Sequence, residues 1–360
     1  MKRQPDAPGS RGAAVRKQPA PALADGARRV TAAMVARRAG TSVATVSLVI
    51  NGKAQGRVSD ENAARVLEAV RELGYVVDGT ASALARGTSN IVAMLAPDLC
   101  NPFFGQVIQG IQEELGDRFQ LLLSAASRGA LPTSEDILRL SALRPAGLLA
   151  YAPAPRFMDR FPAGTPVVLL DAPGMEKRAV TVNYDIGPGI EELVGHLAAR
   201  GHRKMGYLDS TTPSTTYVLR RKRLQEVAER QGMTVVGGED ARSGPDLRAA
   251  ALAFRRAWPG WRAEGVTVVV VCADTLAHGV LAACAQEGIR VPEDLAVAGF
   301  DDLPASSVTS PTLTSVALPG DALGRAAAHR LIALIDGESP RTLPPGILRA
   351  ALVQRNSTGK

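Results

Sequence analysis

Three cysteines, Cys100, Cys272 and Cys284, are all that this 360-residue chain contains. An odd count with no CxxC spacing argues against a disulfide framework and against a zinc site, so neither a metal nor another cofactor is expected. Buried thiols in a reducing compartment are the plain reading. No stretch reaches the roughly 18 consecutive apolar residues that a membrane-spanning helix needs. The first 29 residues are rich in Pro, Ala and Arg and lack the apolar centre of a secretory signal. They read as a disordered basic arm, and the whole as a cytoplasmic protein. The glycine-rich, GxSxG, Walker and HExxH signatures of common enzyme classes are missing too. Four histidines, His196, His202, His278 and His329, are scattered and read as surface or packing residues. No enzyme is expected.

Charge is present but uneven. The formal net charge is +7, and residues 1–89 hold 14 Lys and Arg against 7 Asp and Glu, leaving 28 of each sign in the rest. A basic module on a neutral body suggests that the module meets a polyanion, and nucleic acid is the usual one. A solvated arm without a partner would account for residues 1–29 alone, but not for the pattern that follows.

From Val30 the chain reads VTAAMVARRAGTSVATVSLVING. Thr31 can cap a helix whose inner face is Val35, Ala36 and Ala39, and Gly40 breaks it after about two turns. Ser42 can then cap a second short helix with Val46, Val49 and Ile50 inward. Two short helices joined by a tight glycine turn make a helix-turn-helix unit. A third amphipathic stretch, Ser59 to Leu73, ends at Gly74 and completes a small all-helical head.

With the following segment RVSDENAARVLEAVRELGYV, this region resembles the head of lac-repressor family regulators, whose pattern runs AGVSxxTVSRVLNG…VSxxTRxRVxxAxxELGY. The resemblance implies a second helix in the major groove of double-stranded DNA. It places Val43, Ala44 and Leu48 at base edges with Arg57 just beyond, and Thr31, Ser42, Thr45, Asn51 and Ser59 at phosphates. Leu48 stands where the family usually has an arginine, the side chain that grips guanine bidentately. Direct readout should therefore lean on thymine methyls and DNA shape.

Residues 78–90, DGTASALARGTSN, taken alone read as a flexible linker. The resemblance implies instead a short hinge helix that folds on the operator. Leu84 would be wedged into the minor groove, with Ala81, Ala85 and Arg86 around it. Val77 and Asp78 replace the family's proline and asparagine, which suggests a looser hinge.

Beyond residue 90, apolar runs such as IVAMLAP, AGLLAYA, TPVVLLD and VTVVVVCAD alternate with stretches of helical spacing. That alternation predicts α/β lobes built on doubly wound parallel sheets, with ligands at the carboxyl ends of the strands. The segments PDLCNPFFGQVIQGI, VVLLDAP, GIRVPEDLAVAGFDDLP and TSPTLTSV again resemble lac-repressor relatives and the periplasmic sugar-binding proteins. Four parts are thus expected: an arm (1–29), a helix-turn-helix domain (30–77), a hinge (78–90) and a two-lobed, periplasmic-binding-protein-like body for sensing and dimerisation (91–360).

The resemblance implies an effector site formed by Phe103, Phe104, Asp171, Arg220 and Asp301, suited to a sugar or sugar derivative. Two departures count against a plain sugar. Cys272-Ala273-Asp274 replaces the family's Ala-Asn-Asp, and Arg223-Leu224 replaces a Gly-aromatic pair. Aromatics are few, at 4%. Lys222 or Arg223 could instead meet an acidic or phosphorylated ligand. The expected whole is a homodimeric transcription regulator, a repressor, on a pseudo-palindromic operator, with a small-molecule effector. Two alternatives stay open: a body that binds a partner protein, and a sugar-binding transport protein.

Overall fold

The computed structural model describes residues 30–75 and 89–359, apart from 98, 100, 127–129, 155, 162, 163 and 345. The basic arm, the hinge positions Val77, Asp78, Ala81, Leu84, Ala85 and Arg86, and Cys100 lie outside the described residues. The chain divides into two compact units, Met1–Asp78 and Gly79–Lys360.

Among its described residues the first unit forms three helices: α1 (Ala32–Ala39), α2 (Val43–Ile50) and α3 (Asp60–Leu73). Its core is small. Val35, Ala36 and Ala39 of α1 meet Val46 and Val49 of α2 and Val66 and Ala69 of α3. The stripe predicted for α1 is buried, Ile50 of α2 and Ala63 and Val70 of α3 are only partly so, and Leu67 faces solvent.

The second unit has two α/β lobes. In chain order it runs β1 (Ile91–Ala96), α4 (Pro102–Leu115), β2 (Gln120–Ala125), α5 (Ser134–Ser141), β3 (Gly147–Tyr151), β4 (Val167–Leu170) and β5 (Val180–Asp185). Then come α6 (Gly187–Ala199), β6 (Lys204–Ser210), α7 (Thr215–Arg230), β7 (Thr234–Val236), β8 (Arg242–Ser243), α8 (Leu247–Ala263) and β9 (Val268–Val271). The chain closes with α9 (Asp274–Gln286), β10 (Ala296–Asp301), β11 (Thr314–Ala317), α10 (Gly320–Ile335), β12 (Gly346–Arg349) and β13 (Ala351–Val353).

The first lobe's sheet has the order β12-β5-β4-β3-β1-β2 and is parallel throughout. The second has the order β13-β11-β10-β9-β6-β7, with β8 also on β6 and β13 alone antiparallel. Apolar runs become parallel strands here because helices cover both faces of the sheet. Along β1, Val92 and Met94 pack with α4 and α10 on one face, while Ala93 and Leu95 pack with α5 on the other.

The chain passes between the lobes three times: from β5 into α6, from β11 into α10, and from β12 into β13. Two of these crossings run side by side, joined by the Ala350 amide donating to the Asp185 carbonyl at 3.0 Å. Glycine sets one contact of the first lobe. A Cβ on Gly110 would lie 2.0 Å from the Asp321 carbonyl oxygen, and one on Gly324 would lie 2.0 Å from that of Val107. Helices α4 and α10 therefore touch backbone to backbone.

Cys272 and Cys284 are buried, and burial pushes both thiols up, Cys284 to about 12. Among the described residues, no helix is long and apolar enough to cross a membrane and no cluster of three or more His, Cys, Asp or Glu could hold a metal ion.

Candidate functional site

Each helix of the first unit begins on a hydroxyl. Thr31 Oγ1 accepts from the Met34 amide at 3.4 Å, Ser42 Oγ from the Thr45 amide at 3.1 Å, and Ser59 Oγ from the Asn62 amide at 3.4 Å. These caps satisfy amides that the first helical turn leaves without partners. They also put three exposed hydroxyls at helix N-termini, the ends that favour phosphate. Gly40 takes the left-handed conformation at φ 63°, and α2 turns off α1 by 101°. That angle lies in the range of helix-turn-helix units.

The turn exposes one side of α2. Val43 is 49% exposed, Ala44 is exposed with it, and Leu48, one turn along, is half-buried. Thr45 is half-buried, its Oγ1 2.9 Å from Ser42 Oγ. Asn51 caps the far end, its Nδ2 donating to the Ser47 carbonyl at 2.7 Å. Arg57 is exposed in the turn before α3. All nine head residues singled out from sequence thus reach the surface at least in part.

In the second unit, the cleft at the carboxyl ends of the strands encloses about 70 Å³. Four of the five effector positions read from sequence line it: Phe103, Phe104, Arg220 and Asp301. The phenylalanines are both wall and core. With Tyr151 they form a cluster of edge-on rings, Phe104 and Tyr151 having centroids 4.9 Å apart. Arg220 on α7 is 3% exposed and Asp301, at the end of β10, 5%. Arg220 Nη1 donates to the Cys272 carbonyl at 2.8 Å and lies 3.3 Å from Asp301 Oδ1. Rings of Tyr217 and Phe300 flank the guanidinium at 5.4 and 5.3 Å. Its Nε is buried without a partner.

The electrostatics follow from burial. Burial pushes the Asp301 carboxyl up to about 6 against the pull of Arg220. Burial alone would lower Arg220, but Asp301 first, then Tyr151, Tyr217 and Asp171, outweigh it and hold the guanidinium cationic. The fifth residue, Asp171, stands one layer back. Its carboxylate accepts from Tyr151 Oη at 2.8 Å, and its carbonyl accepts from Thr216 Oγ1 at 3.4 Å. Burial raises this carboxyl too.

Thr216 belongs to the second lobe and Asp171 to the first, so that bond crosses the cleft. Thr275 Oγ1 and Asn101 Oδ1, 3.3 Å apart, cross it again. Lys222 and Arg223 lie outside the cleft. They line a neighbouring groove and pair with Glu226, Arg223 also with Glu191.

Sequence reading missed Tyr151 and a run of hydroxyls, Ser210, Thr212, Ser214 and Thr216, on the cleft wall. The available signal was position, since Tyr151 and Ser210 each end a strand and the other hydroxyls come soon after β6. Backbone strain marks the same rim. Ala152, Asp171, Asp301 and Asp302 have φ of 39°, 47°, 106° and 52°, each at the carboxyl end of a strand. The neighbouring Asp274 is fully buried and accepts from the Leu303 amide at 3.0 Å, Ser306 Oγ at 2.6 Å and Ser315 Oγ at 2.8 Å, which fixes the turn after β10. Two histidines serve packing, His196 meeting Thr358 Oγ1 at 2.8 Å and His278 meeting Ser306 Oγ at 3.0 Å, while His329 is exposed beside Glu114.

Residues 31–78 match the family model described as bacterial regulatory proteins, lacI family, and residues 194–358 match a periplasmic binding protein-like domain. The HTH-type transcriptional regulator GntR of Pseudomonas aeruginosa is 33% identical over 337 residues, which span 87% of this chain and 91% of the relative. The ribose operon repressor of Escherichia coli (strain K12) is 27% identical over 304 residues, covering 83% and 91%. Among solved structures, a complex of the regulator CelR with cellobiose has 27% identity and a TM-score of 0.63, covering 91% of this chain and all of that one. The lac repressor dimer bound to operator and an anti-inducer shares the fold at a TM-score of 0.78 and 24% identity, covering 92% of this chain and all of that one.

Proposed function

The chain belongs to the lacI family of bacterial regulatory proteins and is a DNA-binding transcriptional regulator with an effector-binding body, and from that premise we propose that it is a homodimeric repressor released or recruited by a polyhydroxylated small molecule. In this reading α2 enters the major groove with Val43, Ala44 and Leu48 at base edges and Arg57 at their flank. The capping hydroxyls of Thr31, Ser42 and Ser59, with Thr45 and Asn51, meet phosphates. Each cap uses a lone pair toward the helix, so the hydroxyl hydrogens of Thr31 and Ser59 remain for phosphate oxygens. Ala81, Leu84 and Ala85 are assigned to a minor-groove hinge from the family resemblance alone. A two-fold dimer predicts a pseudo-palindromic operator.

The effector reading is carried by one observation: a buried guanidinium whose Nε lacks a partner, facing a cleft lined by hydroxyls and four aromatic rings. Hydroxyls and ring faces suit a sugar, and relatives named for ribose and complexed with cellobiose support that class. The unpartnered Nε favours a derivative that brings an acceptor oxygen to Arg220. A space of about 70 Å³ holds a few waters, so ligand entry requires the lobes to part. The three crossings and the two cleft-spanning bonds are where that motion is felt. The effector then changes operator affinity by its differential affinity for the two lobe arrangements, with coupling of about 1–3 kcal/mol typical of such systems.

The test is selection of bound duplexes from a random library with purified full-length protein, titrated in salt, then repeated with a panel of neutral sugars and sugar acids. A short palindrome whose occupancy shifts with one class supports the reading. Salt-sensitive binding without sequence preference would defeat it.

A further inference from the structure

The exposed side of α2 carries few groups able to hydrogen-bond a base edge. In helix-turn-helix proteins the N-terminal residues of the second helix contact the bases. Here those residues are Val43 and Ala44, both exposed, and Leu48 follows Ala44 on the same side one turn later. Polar side chains at both ends of this helix are engaged locally. Ser42 Oγ and Thr45 Oγ1 lie within hydrogen-bond distance of each other at 2.9 Å, and Asn51 Nδ2 reaches the Ser47 carbonyl at 2.7 Å and Ser47 Oγ at 3.3 Å. Leu48 has none of the paired donors with which an arginine would grip guanine O6 and N7. The exposed cations that follow it, Lys53 and Arg57, both sit beyond the helix in the segment before α3.

The major groove offers an apolar side chain one distinctive partner, the 5-methyl group of thymine. We propose that this regulator recognises its operator through pyrimidine 5-methyl groups packed against Val43, Ala44 and Leu48, in place of a guanine contact from the helix. The proposal rests on the reading of α2 as the recognition helix. It carries a consequence that base identity alone would not: 5-methylcytosine bears its methyl at the same ring position as thymine, so methylated cytosine substitutes for thymine at the contacted steps. Binding follows the methyl group, and the operator is sensitive to cytosine methylation.

The experiment uses the full chain and the duplex it selects from a random library. Each thymine is replaced in turn by deoxyuridine, which removes only the methyl. Affinity should fall about fourfold per contacted methyl, the worth of one buried methyl or methylene, and about fifteenfold when both half-sites are changed together. Replacing the same thymine by 5-methylcytosine should restore affinity to within about twofold, while unmethylated cytosine should not. Leu48→Arg should remove the uracil penalty at its own step and bring guanine into the selected site. Its retained binding to non-specific DNA would show that the head still folds. Indifference to uracil at every position overturns the proposal, as does a wild-type site whose affinity depends on guanine at the steps facing Leu48. Failure to select any sequence instead removes the assignment of α2 itself, and the two failures are therefore distinguishable.

Discussion

Replacing Asp301 by alanine removes the partner of a cation that has nowhere else to go. Arg220 is 3% exposed and would keep the Cys272 carbonyl at 2.8 Å and the rings of Tyr217 and Phe300, but no anion in contact. Breaking a buried pair by deleting one member costs about 3–5 kcal/mol, because the surviving charge is stranded in low dielectric. The retained carbonyl and ring contacts place the expected loss at the lower end, about 3 kcal/mol. Replacing both members by apolar residues of similar volume, Arg220→Met with Asp301→Leu, removes the stranded charge and should cost far less than the single change. The chain's two tryptophans, Trp258 and Trp261, both lie on α8 of the second lobe, so intrinsic fluorescence in a urea titration reports on that lobe. A single-variant loss below about 1 kcal/mol, or a double variant as unstable as the sum of its singles, would refute the reasoning.

Gly324→Ala should destabilise the first lobe by about 1–3 kcal/mol, since the new Cβ meets the Val107 carbonyl at 2.0 Å and α4 must move off α10. An unchanged thermal melt would contradict that close approach. Ser42→Ala removes the cap of α2 at a cost of about 1 kcal/mol, so hydrogen exchange at the Thr45 amide should quicken about fivefold. Equal protection in both proteins would deny the cap a role. Burial raises the Asp274 carboxyl to about 8 from an ordinary 3.8, despite the three donors that face it. Its proton is thus held longer in the folded chain than in the unfolded one. That contribution to stability is complete below about pH 4 and is lost as pH rises toward about 8, so Asp274→Asn should flatten the slope of stability across this window. A slope unchanged in the variant would assign it to other groups. Thr216→Val removes a side-chain bond across the cleft and should weaken effector coupling while operator affinity without effector holds within about threefold. Coupling equal to wild type in gel-shift titrations would exclude that bond from the switch.

Much of the architecture could be read directly from the chain. The three head helices begin at Thr31, Ser42 and Ser59 and two of them end at Gly40 and Gly74, as capping and the αL preference of glycine dictate. The apolar runs became the parallel strands. These signals are legible because they are local: a cap and its amide lie three residues apart, and an inward stripe repeats every turn. Helix α8 is not legible in the same way: it contains Pro259 next to Gly260, a pair that locally reads as a break although the helix runs through it.

The cleft is another matter. The family resemblance singled out Arg220, but a row of charges, Arg220 to Arg223, gives no local means of telling which faces the interior. The structure buries the first against Asp301, 81 residues away in sequence, and sends Arg223 to Glu191. Asp171 stands behind Tyr151 and holds Thr216 across the lobes, a placement set by how β3, β4 and α7 meet. Sequence by itself determined the head helices, the apolar central strands, the family resemblance and the uneven charge, because periodicity, caps and composition act within a few residues. Only the tertiary structure decided which side chains share the cleft and how strongly each charge is desolvated, because burial depends on segments brought together by the three crossings between the lobes.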